Sequence, residues 1–364
     1  MTLKFKPIQF PQDEQAHDNI IEWWYFNGHL KDKAGNNYAF MDCLFKTDVK
    51  RCGIPFLSRL PVRTAYFAHS ILSDIKKQKS YPEVQNMVLA SKDSFTRPFL
   101  FINYINPPFL DGYTTSVIEE TALFGYRVKT ENFDLRLTAT KKPLLESGRG
   151  MIEVCGKQSF YYSLTNLQVA GQIKIDKKFI EVTGQAWMDH QWADEGYPMD
   201  RWSWFSVQLE NNIEIMCCEY VRGKDKAYLA DIVYADGRQE SFKNLKLIPG
   251  EEIFHSKKTG AKYPLVWQIE IPASSAGGPE KNIKLDVTAL VKNQEMVYGS
   301  INYWEGPSKI SGSIGDKKVR GLGFIELAGY PSNYSNLKYA KDEFKKVARE
   351  LLLRIKEVVR KKLR

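Results

Sequence analysis

The stretch WMDHQW, residues 187–192, sets an acid beside a base, Asp189 next to His190, between Trp187 and Trp192. A carboxyl and an imidazole are the parts of a proton-transfer pair, and also of a metal site. Strand periodicity bears on both readings. The flanking residues alternate as β-strand, and alternate residues of a strand share a face. Ala186, Met188, His190 and Trp192 then lie on one side; Trp187, Asp189 and Gln191 lie on the other. In a regular strand Asp189 and His190 cannot bond to each other, so the natural pair is His190 with Trp192. Asp189 is expected to be a structural carboxylate, bound to backbone or an arginine at a barrel rim or a contact between domains.

The same rule sorts EWWYFNGHL. Glu22, Trp24 and Phe26 share one face; Trp23, Tyr25, Asn27 and His29 share the other. In IEIMCCEYVR, Ile213, Ile215, Cys217, Glu219 and Val221 form a stripe that Glu219 interrupts. A carboxyl on an apolar face must be paired or must hold its proton, and a protonated carboxyl is a general acid. Trp24, Tyr25, His29, Trp187, Trp202 and Trp204 are candidate ligand-binding residues. Aromatic faces suit an elongated apolar ligand and can stabilise developing positive charge. His29, His69 and His190 lie in strand-like segments without an H-x-H or H-x-x-x-H pairing, so no metal is expected. His17 and His255 fall in polar loops.

The elements that must position these side chains are mostly short strands. IEWWYFNGHLKDKAGNNYAFMDCLFK looks like a hairpin, and FDLRLTAT, WSWFSVQLENNIEIMCCEYV and YLADIVYADGRQESF alternate apolar with polar residues. Asn211-Asn212 and Asp236-Gly237 supply hairpin turn chemistry. There is no G-x-G-x-x-G after a strand, no P-loop and no G-x-S-x-G, which removes support from nucleotide-binding and α/β-hydrolase folds. The expected class is all-β: two consecutive antiparallel barrels over 1–171 and 172–335, divided near Gly171, then a helix over 336–364.

That helix carries the charge. The chain holds 52 Lys/Arg against 43 Asp/Glu, a net of +9, and most of the excess lies beyond Lys338. Phe344, Val347, Leu351, Leu352, Ile355 and Val358 follow helical spacing opposite a basic face. Such a helix packs on the barrels or rests against an anionic membrane through residues 338–364. The basic charge therefore belongs to a tail, and no nucleic-acid partner is expected. The five cysteines are odd in number and irregularly spaced, which fits a reducing compartment. With no apolar run of a signal peptide at the start, a cytoplasmic protein is expected, peripheral to membrane if the tail docks there.

In order along the chain, FPQDEQAHDNIIEWWYFNGHL, YYSLTNL, VTGQAWMDHQWAD, WSWFSVQL, TGAKYPLVWQIEIP, YWEG and GLGFIELAGY make residues 10–330 resemble the lipocalin-like carotenoid 1,2-hydratases (hydroxyneurosporene synthases) and AttH-type proteins. The resemblance implies two successive lipocalin-like barrels and an apolar ligand, often isoprenoid or polyketide-like. It implies cofactor-independent chemistry, either hydration of an alkene by a hydro-lyase or cyclisation, or else a carrier without chemistry. In the hydratase branch an H-x-W element works with an acid on the following strand. His190 and Trp192 match that element, and Glu219 is the nearest counterpart of an acid that is more usually aspartate. Glu14 stands where relatives of the FP-x-D element commonly have histidine.

Overall fold

The computed structural model describes residues 6–52, 62–90, 94, 100–105, 115–195, 200–273, 278–298, 301–345 and 349. It is almost entirely antiparallel β-structure in two large sheets. The first contains twelve strands. Its long Lys157–Ile175 strand pairs with Lys178–Ala193 on one side and with Phe133–Ala139 on the other, which closes the sheet into a barrel. The expected opening hairpin is present as Ile21–Asp32 paired with Asn37–Asp48, with Gly35 in the left-handed conformation at its turn.

The second sheet has ten strands. Its recorded pairing path is open, from Gln239–Phe242 at one edge to Lys246–Pro249 at the other. Residues 243–245 join those edges, and so short a connection reaches only roughly 15 Å. The sheet must therefore curl on itself. Its turns use the residues that the sequence offers: Asn212 and Gly237 both take positive φ between paired strands.

Gly171, the expected division, lies inside the Lys157–Ile175 strand. The change from one sheet to the other falls later, between Ala193 and Arg201. Ile21–Asp32 is bonded along its whole length to Lys178–Ala193, from Ile21 opposite Ala193 to Asp32 opposite Val182. WMDHQW is thus the last part of the first barrel. The two strands approach closely at Gly184, where a Cβ would lie 1.9 Å from the His29 carbonyl oxygen.

Parity assigns the faces as expected, and both are buried. Trp24, Phe26, Met188 and Trp192 enter the core of the first barrel. Tyr25 and Trp187 point outward into a separate layer with Trp204, Met216, Tyr303 and Phe324 of the second sheet. A further core fills the curl of the second sheet. The two sheets therefore meet face to face across an aromatic seam. A helix covers 336–345, where Leu337 and Phe344 are 68% and 74% exposed. Most of the amphipathic segment expected over 338–364 lies outside the described residues. Among the described residues no helix is long and apolar enough to cross a membrane.

Candidate active site

The seam brings together carboxyl groups that no single stretch of sequence sets side by side. Glu305 and Glu326 are direct partners on adjacent antiparallel strands. Opposite residues on one face have their Cβ atoms about 5 Å apart, and two like charges there repel. Glu326 is also the register partner of Trp204, and Trp204 of Cys218. Facing them from the first barrel is the row Asp189, Tyr25, Cys43 and His69.

Bonds cross the seam. The Tyr25 hydroxyl donates to Glu305 Oε1 at 2.5 Å. His69 Nδ1 lies 2.7 Å from the Tyr303 hydroxyl. The Trp204 indole N–H donates to the Tyr161 hydroxyl at 3.1 Å. Glu305 Oε2, His69 Nε2 and Asn27 Nδ2 are buried with no hydrogen-bond partner. Glu326 accepts from the Trp202 indole at 2.8 Å. Its carboxyl is enclosed, while the residue keeps some accessible surface.

This setting decides the protonation states. Burial, then the nearby Glu326 carboxyl, hold Glu305 well above the usual carboxylate range, against the bond from Tyr25. Burial pushes Glu326 up to about 7, although the Trp202 bond opposes it. Burial lowers His69 to about 3, so its ring is neutral. The seam thus holds a protonated carboxylic acid opposite a carboxyl poised near neutrality, which is the division of labour that acid–base catalysis needs.

On the other face of the same strands, at the end of the barrel where Ile21 begins, lies a second cluster. His190 Nε2 is 2.9 Å and His17 Nδ1 2.7 Å from Glu22 Oε1. Lys46 Nζ donates to Glu22 Oε2 at 3.0 Å. Burial alone would raise Glu22, but the bonds from His17 and His190 outweigh it and hold the carboxyl at about 2. His190 Nδ1 faces the Tyr162 hydroxyl at 3.2 Å, and Tyr162 lies 2.6 Å from Glu14 Oε1. Tyr126 approaches the other Glu14 oxygen. Burial, then repulsion from Glu120, raise Glu14 to about 8 despite both tyrosines. Trp192 stacks on His17, with centroids 3.9 Å apart and planes 6° apart. Trp24 stacks on His190.

The sequence expectations divide accordingly. His190 and Trp192 are together in the first barrel, as parity required. Glu219 is not with them. It sits in the second sheet, held by Tyr228 at 2.8 Å, Lys226 at 3.2 Å and Arg201 at 3.5 Å. Lys226 and Tyr228 also line a cleft of about 270 Å³ with Ser147, Val154 and Lys243. Glu219 breaks its apolar stripe because it is ion-paired at the end of the strand. Of the candidate ligand residues, Tyr25, Trp187, Trp202 and Trp204 gather in or beside the seam, whereas Trp24 faces the lumen. His29 crosses the seam to the Gly323 carbonyl at 2.9 Å.

Asp189 is a buried carboxyl at a contact between the sheets. Its donors are Tyr161, Ser163 and Trp187, at 2.7, 2.6 and 2.6 Å, rather than backbone or arginine. Sequence reasoning passed over Glu305, Glu326 and His17. The signal for the first two was present: YWEG and GFIELAG each place a glutamate on an aromatic or apolar stripe, as at Glu219.

A family profile described as AttH-like matches residues 2–330. A dehydratase of Emericella nidulans, asqC, is 28% identical over 234 residues, covering 60% of this chain and 58% of that protein. Kievitone hydratase of Fusarium solani subsp. phaseoli is 21% identical over 213 residues, covering 56% and 57%. The chain thus matches less than two thirds of the length of either curated relative. A crystal structure of an AttH protein from Nitrosomonas europaea superposes with a TM-score of 0.70 at 25% identity, covering 90% of this chain and 98% of that one. Kievitone hydratase from Nectria haematococca gives 0.68 at 15% identity over 88% and 93%, a likeness of fold. With the profile spanning both sheets and the strands that build both clusters, the chain is a member of the AttH-like family.

Proposed function

We propose that the protein adds water across a carbon–carbon double bond of an apolar small molecule bound at the seam, or forms such a bond by removing water from an alcohol, with Glu305 and Glu326 as the proton-transfer pair. The observation that carries this reading is the cross-strand pair itself: a protonated Glu305 with one oxygen unpartnered, opposite a Glu326 near neutrality. Relatives named as a dehydratase and a kievitone hydratase support the reaction class.

In hydration, Glu305 gives its proton to one alkene carbon, and the π electrons form the new C–H bond. Positive charge develops on the neighbouring carbon, which the faces of Trp202, Trp204 and Tyr25 stabilise. Water bonds to that carbon and loses a proton to the Glu326 carboxylate. Transfer of that proton back to Glu305 across the pair restores the enzyme. Dehydration is the same path reversed. A positioned acid of this kind contributes about 10²–10⁴-fold in rate.

The test is incubation with prenylated phenols and terpenoid alkenes in heavy-oxygen water, followed by mass spectrometry for labelled alcohol. Glu305→Gln should lose activity by at least about a hundredfold. A loss under tenfold, about 1.4 kcal/mol, would remove Glu305 from proton transfer. Saturable binding across the panel with no turnover would leave a carrier of apolar ligands instead.

A further inference from the structure

The cluster at the end of the first barrel takes no part in the seam chemistry, and its geometry has a second use. We propose that His17, Glu22 and His190 form a binding site for a divalent transition-metal ion, with zinc preferred. The candidate ligand atoms, His17 Nδ1, His190 Nε2 and a Glu22 oxygen, all lie within 4.8 Å of one another. Two imidazoles and a carboxylate are a ligand set that zinc takes, leaving a further coordination position for water.

Each ligand is also held from behind. His17 Nε2 meets Asp13 Oδ1 at 3.1 Å. His190 Nδ1 meets the Tyr162 hydroxyl at 3.2 Å. Lys46 occupies Glu22 Oε2, so Glu22 offers Oε1 alone. Outer partners of this kind fix the ring tautomer and aim the ligating nitrogen. The stacked rings of Trp192 and Trp24 hold both imidazoles flat in place. His17 keeps 19% of its side-chain surface exposed while Glu22 and His190 keep none, so entry is past His17.

Without a metal, the protons on His17 Nδ1 and His190 Nε2 both point at one Glu22 oxygen. A cation would take the place of both. His190 would carry its proton on Nδ1, donating to Tyr162, which donates in turn to Glu14. His17 would keep its proton on Nε2, donating to Asp13, so the relayed bonds survive. The charges facing the ion are Glu22 and Asp13 against the Lys46 ammonium, so the site is neither strongly anionic nor closed to a dication. The sequence offered no metal site because His29, His69 and His190 lack a ligand spacing; the structure separates those three and supplies His17 instead.

The test uses the full chain, free of any tag and stripped with a chelator. Zinc is titrated by calorimetry and cobalt by visible absorption. The wild type should saturate at one equivalent, with cobalt giving the intense bands of a low-coordinate site. His17→Ala should weaken binding by about a hundredfold or more. Circular dichroism checks its fold, and Glu22→Gln replaces it if it does not fold. A wild type that takes up no saturating equivalent overturns the proposal. So does equal binding by a folded variant, which would place the metal elsewhere on the chain.

Discussion

The strand Ile21–Asp32 sends one face into a barrel and the other onto the second sheet, and each face meets a buried glutamate in the opposite charge state. Glu22, on the lumen side, accepts from His17, His190 and Lys46 and stays ionised at about 2. Glu305, met by Tyr25 across the seam, has a single hydroxyl donor and another carboxyl opposite, and holds its proton. Both are completely buried. Burial alone therefore fixes neither state; the number of donors does. A saturated anion is a strut or a ligand, whereas a neutral acid with a spare oxygen is a proton source.

The largest expected effect separates the two by function. Glu305→Gln should cut hydration or dehydration by about 10²–10⁴-fold and leave the urea midpoint within experimental scatter of wild type. The comparison breaks if activity persists or if the protein unfolds instead. Glu22→Ala should do the reverse, costing about 3–5 kcal/mol because Lys46 and the imidazoles lose their anion. Urea unfolding measures that, and a loss below about 1 kcal/mol would show that the strut carries little.

The pH dependence sharpens the seam side. Burial raises Glu326 from its ordinary value of 4.5 to about 7 in the fold. Between those values the folded state binds more protons than the unfolded one. The stabilisation is therefore full below about 4.5, falls as pH rises, and is gone above about 7. The whole span amounts to about 3 kcal/mol. Urea midpoints should drop across this window, and Glu326→Gln should lessen the drop, with Glu14 and Glu305, both raised, supplying the remainder. Asp189, raised from 3.8 to about 6, supplies a residual slope at the acid end. The smallest effect is Tyr25→Phe. It removes one cross-seam bond at a cost of about 1 kcal/mol and, by taking a donor from Glu305, shifts the alkaline limb of the hydration rate profile upward.

Much of this was legible early. Alternation in WMDHQW set Asp189 and His190 on opposite faces, and the structure keeps them there. Alternation also placed Tyr25 on the face opposite Trp24, and Trp187 on the face opposite His190. For Glu219 it left two readings open, because a polar residue breaking an apolar stripe reads the same whether it is a buried acid or an ion-paired strand end. Only the approach of Arg201, Lys226 and Tyr228 distinguishes the two. Gly171, where the division was expected, lies inside the Lys157–Ile175 strand; a glycine that permits close strand approach resembles one that ends a strand.

The sequence by itself determined the all-β class, the hairpin turns at Asn212 and Gly237, and the face on which each strand residue lies. These depend on local backbone preference and a period of two residues, and both are written in short stretches. Tertiary structure alone decided that Glu305 meets Glu326 and Tyr25, and that His17 meets Glu22 and His190. Those contacts join residues that are distant in the chain or parted by a loop. Protonation states then follow from donors and burial, which exist only once the sheets have closed on each other.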